Sequence, residues 1–262
     1  MKKIHFIAVL FPLLGCSHFE NAEKQNMPLN TNQSVIEKES ENKTEHQVRV
    51  QTIMKREPKK ENILQKQLLN VPLIKQNPEL KYGCEVTSLT MMLQYAGIKV
   101  NKMDLYRKIK KDPDPLIRSK TGDIIRWGDP GVGFVGDMTG RNAGYAVFDK
   151  PMVDLINTYL PGRAKNLTNR PFVEILSHVS KGYPVVVWTT GDYRLPDRWE
   201  SWRHEKQTIK TPLDLHVVVL VGYDSQNVYL NDPLSGKKQV RVNKNRFIDS
   251  WKALKQRAVS YE

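Results

Sequence analysis

The alternation of apolar and polar positions divides the chain into three stretches. Ile4 to Leu14 is a short apolar run behind the positive Met1-Lys2-Lys3. Residues 17 to about 66 carry few large apolar side chains, and residues 21–47 are rich in Asn, Gln, Glu, Lys, Ser and Thr without a single glycine. Such a segment buries too little apolar surface to offset its ordering entropy. A mostly disordered polar tether is expected over 16–66, with helix near 61–67 at most. From Leu68 the apolar residues become dense, and 67–262 reads as the folded domain.

Within that domain the period changes several times. Residues 69–74 read as a short extended strand, which Pro72 places at an edge. Val86, Leu89, Leu93 and Ala96 then recur at helical spacing with Met92 beside them, and Gly97 is the stop. Further helices are predicted over 101–110, 150–160 and 170–181. In the last of these Phe172, Ile175, Leu176 and Val179 share a face. Strands follow: 184–190 between Gly182 and Gly191, then 215–223, 228–232 after a turn at Asp224-Ser225-Gln226, and 238–242. Helices first and an antiparallel sheet afterwards predict an α+β fold. No internal repeat is present.

Composition adds a location. The 262 residues include 41 Lys and Arg against 28 Asp and Glu, a net charge of +13. A basic chain favours anionic neighbours such as lipid headgroups, wall polymers or nucleic acid. The basic residues are spread along the chain and match no nucleic-acid module, so no nucleic-acid partner is expected. The apolar run at the start is too short for a comfortable permanent span and ends at Leu13-Leu14-Gly15-Cys16. This resembles the lipobox of bacterial lipoproteins. It implies a signal peptide over 1–15, lipid on Cys16 and an extracytoplasmic protein held to the membrane by that lipid. An ordinary secretory signal with an incidental cysteine is the alternative. The chain has two cysteines. With Cys16 lipidated, Cys84 has no disulfide partner within the chain.

Cys84 falls at the first turn of a predicted helix, in Tyr82-Gly83-Cys84-Glu85-Val86-Thr87. The unpaired N–H groups and positive dipole end there favour an anion. A thiol pKa of roughly 8.5 is expected to fall there beside a protonated imidazole, giving a nucleophilic thiolate. Gly83 is expected to leave room for substrate backbone. A packing cysteine is the competing reading. Of the six histidines, His5, His18 and His46 precede the domain. His178 is expected to face solvent or to cap its helix, and His204 to lie in a Trp-rich loop near Trp199 and Trp202. His216 is the polar residue near the start of an apolar strand, where a buried imidazole needs a partner.

Centring the following hairpin near Ser225 puts His216 opposite residues 230–234, within a residue or two of Asp232. An acidic side chain there would hold the imidazole in one tautomer. Asn231 is the neighbour on the other face, and Asp214 is a third option. For an oxyanion the donors would be the Cys84 backbone N–H and the amide of Gln76, unless Gln76 is an ordinary loop residue. Gly131-Val132-Gly133-Phe134-Val135-Gly136 matches G-x-G-x-x-G, but neither a strand before it nor a helix after it is expected. A flexible loop over the cleft is expected instead, with a plain connector as the alternative. No metal-ligand spacing appears, and no cofactor or metal is expected. Trp188, Trp199 and Trp202 would line a substrate groove or the core.

Several of these blocks resemble a known family. They are 71–79, 82–88, Trp127-Gly128-Asp129-Pro130, 133–137, 184–188, 216–224 and Asn231-Asp232-Pro233-Leu234-Ser235-Gly236. In this order, over about 69–261, they are similar to the bacteriocin-processing-peptidase-like family, the thirty-ninth family of cysteine peptidases, in its stand-alone secreted branch. The resemblance implies a papain-like fold, a triad of Cys84, His216 and Asp232, and an oxyanion-binding Gln76. Gln76 lies eight residues before Cys84, a wider gap than in the leader peptidases fused to transporters, and no transporter segment is seen, so leader-peptide cleavage is not expected. The expectation is a monomeric, surface-anchored cysteine peptidase acting on a peptide or protein, wall peptide included. A wall-peptide amidase or transpeptidase, and an inactive peptidase scaffold serving as a binding lipoprotein, are the alternatives.

Overall fold

The computed structural model describes residues 63–262. The signal segment, Cys16 and most of the tether lie outside the described residues. Over 63–67 no helix forms. The chain is already bonded into the domain there: Leu64 N–H donates to Ser180 Oγ at 3.0 Å, and Tyr223 O–H donates to Leu64 O at 2.9 Å. Among the described residues no helix is long and apolar enough to cross a membrane.

In chain order the elements are β1 (Gln67–Leu68), α1 (Cys84–Tyr95), α2 (Lys102–Lys108), β2 (Lys111–Asp112), β3 (Ile117–Arg118), β4 (Ile124–Arg126), β5 (Phe134–Val135), α3 (Asp149–Tyr159), β6 (Ala164–Asn166), α4 (Phe172–Ser180), β7 (Val185–Thr190), β8 (Trp199–His204), β9 (Gln207–Pro212), β10 (Leu215–Tyr223), β11 (Asn227–Asp232), β12 (Lys237–Asn243), α5 (Lys244–Ala253) and β13 (Ala258–Tyr261). The fold is α+β. Its antiparallel main sheet has the order β12-β11-β10-β7-β13-β6, with β1 also on β10. Helices α1, α4 and α5 pack against its middle strands. That explains why β7 and β10 read as unbroken runs of valine instead of alternating: a strand covered on both faces has no polar side to show. All six residues of β7 are buried.

The 69–74 segment is extended but unpaired as a strand. The paired piece is β1, just before it, and Asn231 Nδ2 donates to the carbonyls of Val71 and Pro72 at 3.0 and 3.2 Å. Helices α1 to α4 fall where the apolar periodicity puts them. Helix α2 carries a capping box, Asn101 accepting from Asp104 N–H and Asp104 from Asn101 N–H.

The expected Trp-rich loop is instead a hairpin. Strands β8 and β9 pair and join β4 and β3 in a second, four-stranded sheet. It has its own small core of Ile124, Trp127, Val135 and Trp202. Trp202 stacks tilted on Trp127 at 5.7 Å and edge-on to Tyr145 at 5.5 Å, and its Nε1–H donates to Gly128 O at 2.8 Å. Trp188 is likewise core, bonded to Val147 O at 3.0 Å, whereas Trp199 is exposed. The glycine-rich 131–136 segment is a packed wall and not a free flap. Phe134 and Val135 are fully buried, and β5 runs parallel to β2. A Cβ on Gly133 would lie 2.6 Å from the Lys111 carbonyl carbon, so the close approach of the two backbones requires glycine there.

Candidate active site

The site is built where α1 meets β10. Cys84 is the first residue of α1 and is buried. One turn on, Ser88 Oγ donates to Val217 O at 3.1 Å, which ties the start of the helix to the residue after His216. The backbone of Val217 also acts on the Cys84 sulfur. Gly83 has a different role from the one expected. A Cβ there would sit 2.5 Å from Leu80 Cβ, so the glycine lets the loop close on Leu80.

His216 faces Thr189 across the β10–β7 ladder and is nearly fully buried. Its Nε2 lies 2.7 Å from Asp232 Oδ1. Pairing of β10 with β11 runs from Tyr223↔Val228 to Val219↔Asn231, with a bulge between Leu220 and Gly222. The ladder ends there, and His216 reaches the end of β11 diagonally. With Asp232 ionised, Nε2 carries the proton and donates it, and Nδ1 keeps a lone pair.

Asp232 is surrounded by donors. Besides His216, Leu234 N–H donates to Oδ1 at 2.9 Å, Ser235 O–H to Oδ2 at 2.6 Å and Tyr193 O–H to Oδ2 at 3.4 Å. Burial alone would raise its pKa. The bond and charge of His216, then Ser235 and Leu234, outweigh that and hold it well below the usual carboxylate range. The alternatives separate from it. Asn231 points to the other face, where it joins Val71 and Pro72 and accepts from Gln239 N–H at 3.0 Å. Asp214 Oδ1 is buried without a partner, and burial raises its pKa.

Gln76 is 2% exposed and lies beside this turn, since its backbone N–H donates to Pro233 O at 2.9 Å. Its carbonyl accepts from Lys102 Nζ at 2.8 Å. One Nε2–H donates to Lys81 O at 2.8 Å, while Oε1 is buried without a partner. A primary amide has two N–H donors, so the second is left for an acceptor.

The thiol itself departs from the expectation of a lowered pKa. Burial pushes it well above its ordinary value, and the Glu85 carboxylate adds to the push. Glu85 is completely buried and accepts from Cys84 Sγ at 3.4 Å and from Val147 N–H at 2.9 Å. Its own pKa is raised from 4.5 to about 7, first by burial, against the lowering effect of Val147. Sequence reasoning gave Glu85 no role, although a carboxylate flanked by Val86, Leu89 and Leu93 on a buried helix was a signal that could have been read. Tyr193 and Ser235 were also missed, because turn side chains reach Asp232 only in three dimensions.

Among the described residues, the other two histidines are structural. His178 is buried, with Nε2 at 2.9 Å from Ser260 Oγ and 3.0 Å from Tyr261 O, and not solvent-facing. His204 Nε2 lies 3.1 Å from Asp112 Oδ2. Asp112, Asp114 and His204 offer ligand atoms within 4.8 Å of one another, spaced for a cation. Asp112 already accepts from Asp114 N–H and Asp129 N–H, and Arg126 pairs with Asp114 at 2.9 Å, so these carboxylates are satisfied by the protein itself.

A helix-borne thiol set against an antiparallel sheet that carries a His–Asp pair defines a papain-like α+β fold. The chain belongs to the Peptidase_C39-like family, whose profile matches residues 68–259. It is 36% identical over 182 residues to the uncharacterised protein YvpB of Bacillus subtilis, covering 70% of each. It is also similar to a crystal structure from Bacillus anthracis designated a C39-like peptidase, with 39% identity and a TM-score of 0.68, over 75% of this chain and 97% of that one. Family and fold together support a peptidase-type function.

Proposed function

We propose that this chain is a cysteine peptidase in which Cys84 attacks a peptide carbonyl and His216 Nδ1 takes the thiol proton. Asp232 keeps His216 in the required tautomer and stabilises the imidazolium. The Cys84 N–H and the second Nε2–H of Gln76 receive the oxyanion. The amine leaves with the proton from His216, and water hydrolyses the thioacyl-enzyme. The observation that carries this reading is the buried 2.7 Å His216–Asp232 bond beside the N-terminus of the Cys84 helix. The same reading includes lipid on Cys16 and a peptide or protein substrate outside the cytoplasm.

Iodoacetamide labelling at neutral pH tests the nucleophile. Cys84 should react faster than a model thiol, and His216→Ala should remove the excess. Equal rates in wild type and variant would instead favour a binding lipoprotein on an inactive scaffold, a reading to which the raised thiol pKa lends weight. For the anchor, Cys16→Ser should release the protein from the membrane fraction.

A further inference from the structure

The proposed peptidase chemistry does not use Glu85, yet no side chain is bonded more directly to the nucleophile. Its Oε2 accepts from Cys84 Sγ at 3.4 Å, while its Oε1 accepts from Val147 N–H at 2.9 Å. The carboxyl group is fully buried, and among the described residues no ion pair reaches it. A buried carboxylate with one backbone donor and one weak thiol donor is poorly compensated. A structural pin for Val147 would require only Oε1, and a glutamine would serve as well. Placing the second oxygen against the sulfur makes the charge of Glu85 matter to every state of Cys84.

We propose that Glu85 gates Cys84 by protonation: ionised, it accepts a hydrogen bond from the thiol, which keeps its proton, and holds the site at rest; protonated, it donates to the sulfur and permits the thiolate. This rests on Cys84 being the nucleophile. The proton balance is simple. Glu85 takes its gating proton from solvent and keeps it. The Cys84 S–H proton goes to His216, leaving thiolate, imidazolium and a neutral Glu85 whose O–H faces the sulfur. With Glu85 ionised the same transfer would put two anions side by side, which the low-dielectric surroundings penalise.

The raised pKa of about 7 places the gate in the physiological range. The titratable groups around it come from several elements. Cys84 is on its own helix. Tyr145, just before Val147, feels the charge of Glu85, and Arg257 and Asp214 act on Tyr145 in turn. His216 and Asp232 lie on the sheet side of the sulfur. Of these groups, Cys84 is the one hydrogen-bonded to Glu85 itself.

The rate of iodoacetamide alkylation against pH, read at Cys84 by peptide mass, tests the gate in the full chain. For wild type a bell is expected whose alkaline limb lies near 7, with a second rise only at strongly alkaline pH where the bare thiol ionises. In Glu85→Gln the amide keeps the bond to Val147 N–H and always presents a donor to the sulfur. Its alkaline limb should move upward, and near pH 8 it should react roughly tenfold faster than wild type, since about a tenth of Glu85 is then protonated. Glu85→Ala, with no donor, should be slower than the Gln variant at that pH. Matching profiles for wild type and Glu85→Gln would overturn the gate. So would a wild-type rate that climbs steadily through 7, a result needing no variant. Failure of the peptidase reading looks different: a wild-type rate that never exceeds a free thiol at any pH and is indifferent to His216→Ala.

Discussion

Two carboxyl groups are buried within one site, and their surroundings differ sharply. Asp232, at the open end of the β10–β11 hairpin, receives four donors: His216, Leu234 N–H, Ser235 and Tyr193. Glu85, on the first turn of α1, receives Val147 N–H and a thiol. The first is held below the usual carboxylate range and the second is raised to about 7. Burial raises both. At Glu85 it prevails over the single backbone donor, and at Asp232 the donors and the charge of His216 outweigh it. Sequence position contributes as well, because the turn after Asp232 folds its own N–H and hydroxyl back onto the carboxylate.

The hardest test of that contrast is at Asp232. Asp232→Ala removes the acceptor that orients His216 and should lower peptide hydrolysis by on the order of 10²- to 10⁴-fold. Asp232→Asn should retain more, since an amide oxygen still accepts from Nε2–H. Steady-state kcat/KM on a peptide substrate would measure both, and an alanine variant within tenfold of wild type would remove Asp232 from the mechanism.

A second consequence concerns stability, and the two carboxyls predict opposite signs. The folded-state pKa of Glu85 is raised above its ordinary 4.5. Its contribution is therefore fully present below pH 4.5 and is lost as pH rises through about 7. The loss is about 3 kcal/mol as an order of magnitude. Asp232, with a depressed pKa, contributes above its unfolded value and loses that contribution in acid. Urea midpoints across pH should thus fall between about 4.5 and 7 in wild type and stay flat over that window in Glu85→Gln. A wild-type midpoint independent of pH there would mean that Glu85 is not protonated in the folded chain.

The same contrast explains which parts were legible in the sequence. Strands β7 and β10 and helix α1 are long and apolar, with glycines flanking β7 and α1, and they fall where predicted. The His216–Asp232 pairing followed from hairpin arithmetic, although the bulge at Leu220–Gly222 and the early end of the ladder shift the contact off the facing position. The second sheet was not legible. Its strands β3 and β4 are only two and three residues long, and β4 and β8 join in parallel from distant parts of the chain. Helix α5 was missed because only Phe247, Ser250 and Trp251 are buried along its length. Glu85 was missed for a different reason. The apolar helix face marked Glu85 as a buried carboxyl, but its partner Val147 lies 62 residues further along the chain, and no local pattern announces that contact.

The smallest and sharpest test removes one donor from the Asp232 side. Ser235→Ala deletes the 2.6 Å bond to Oδ2 and leaves His216 and Leu234 N–H on Oδ1. The carboxylate should become slightly less stable as an anion, and its pKa should rise without leaving the ionised range at neutrality. Stability should drop by about 1 kcal/mol near neutral pH, the usual worth of one hydrogen bond. Because the group is depressed in the folded chain, that difference should be present above the unfolded value near 3.8 and shrink as pH falls through the folded one. Hydrolysis should change less than tenfold, since His216 keeps its partner. If Ser235→Ala instead lowers activity as far as Asp232→Ala, the charge of Asp232 depends on a single hydroxyl, and the contrast with Glu85 is one of which donor is present, not how many.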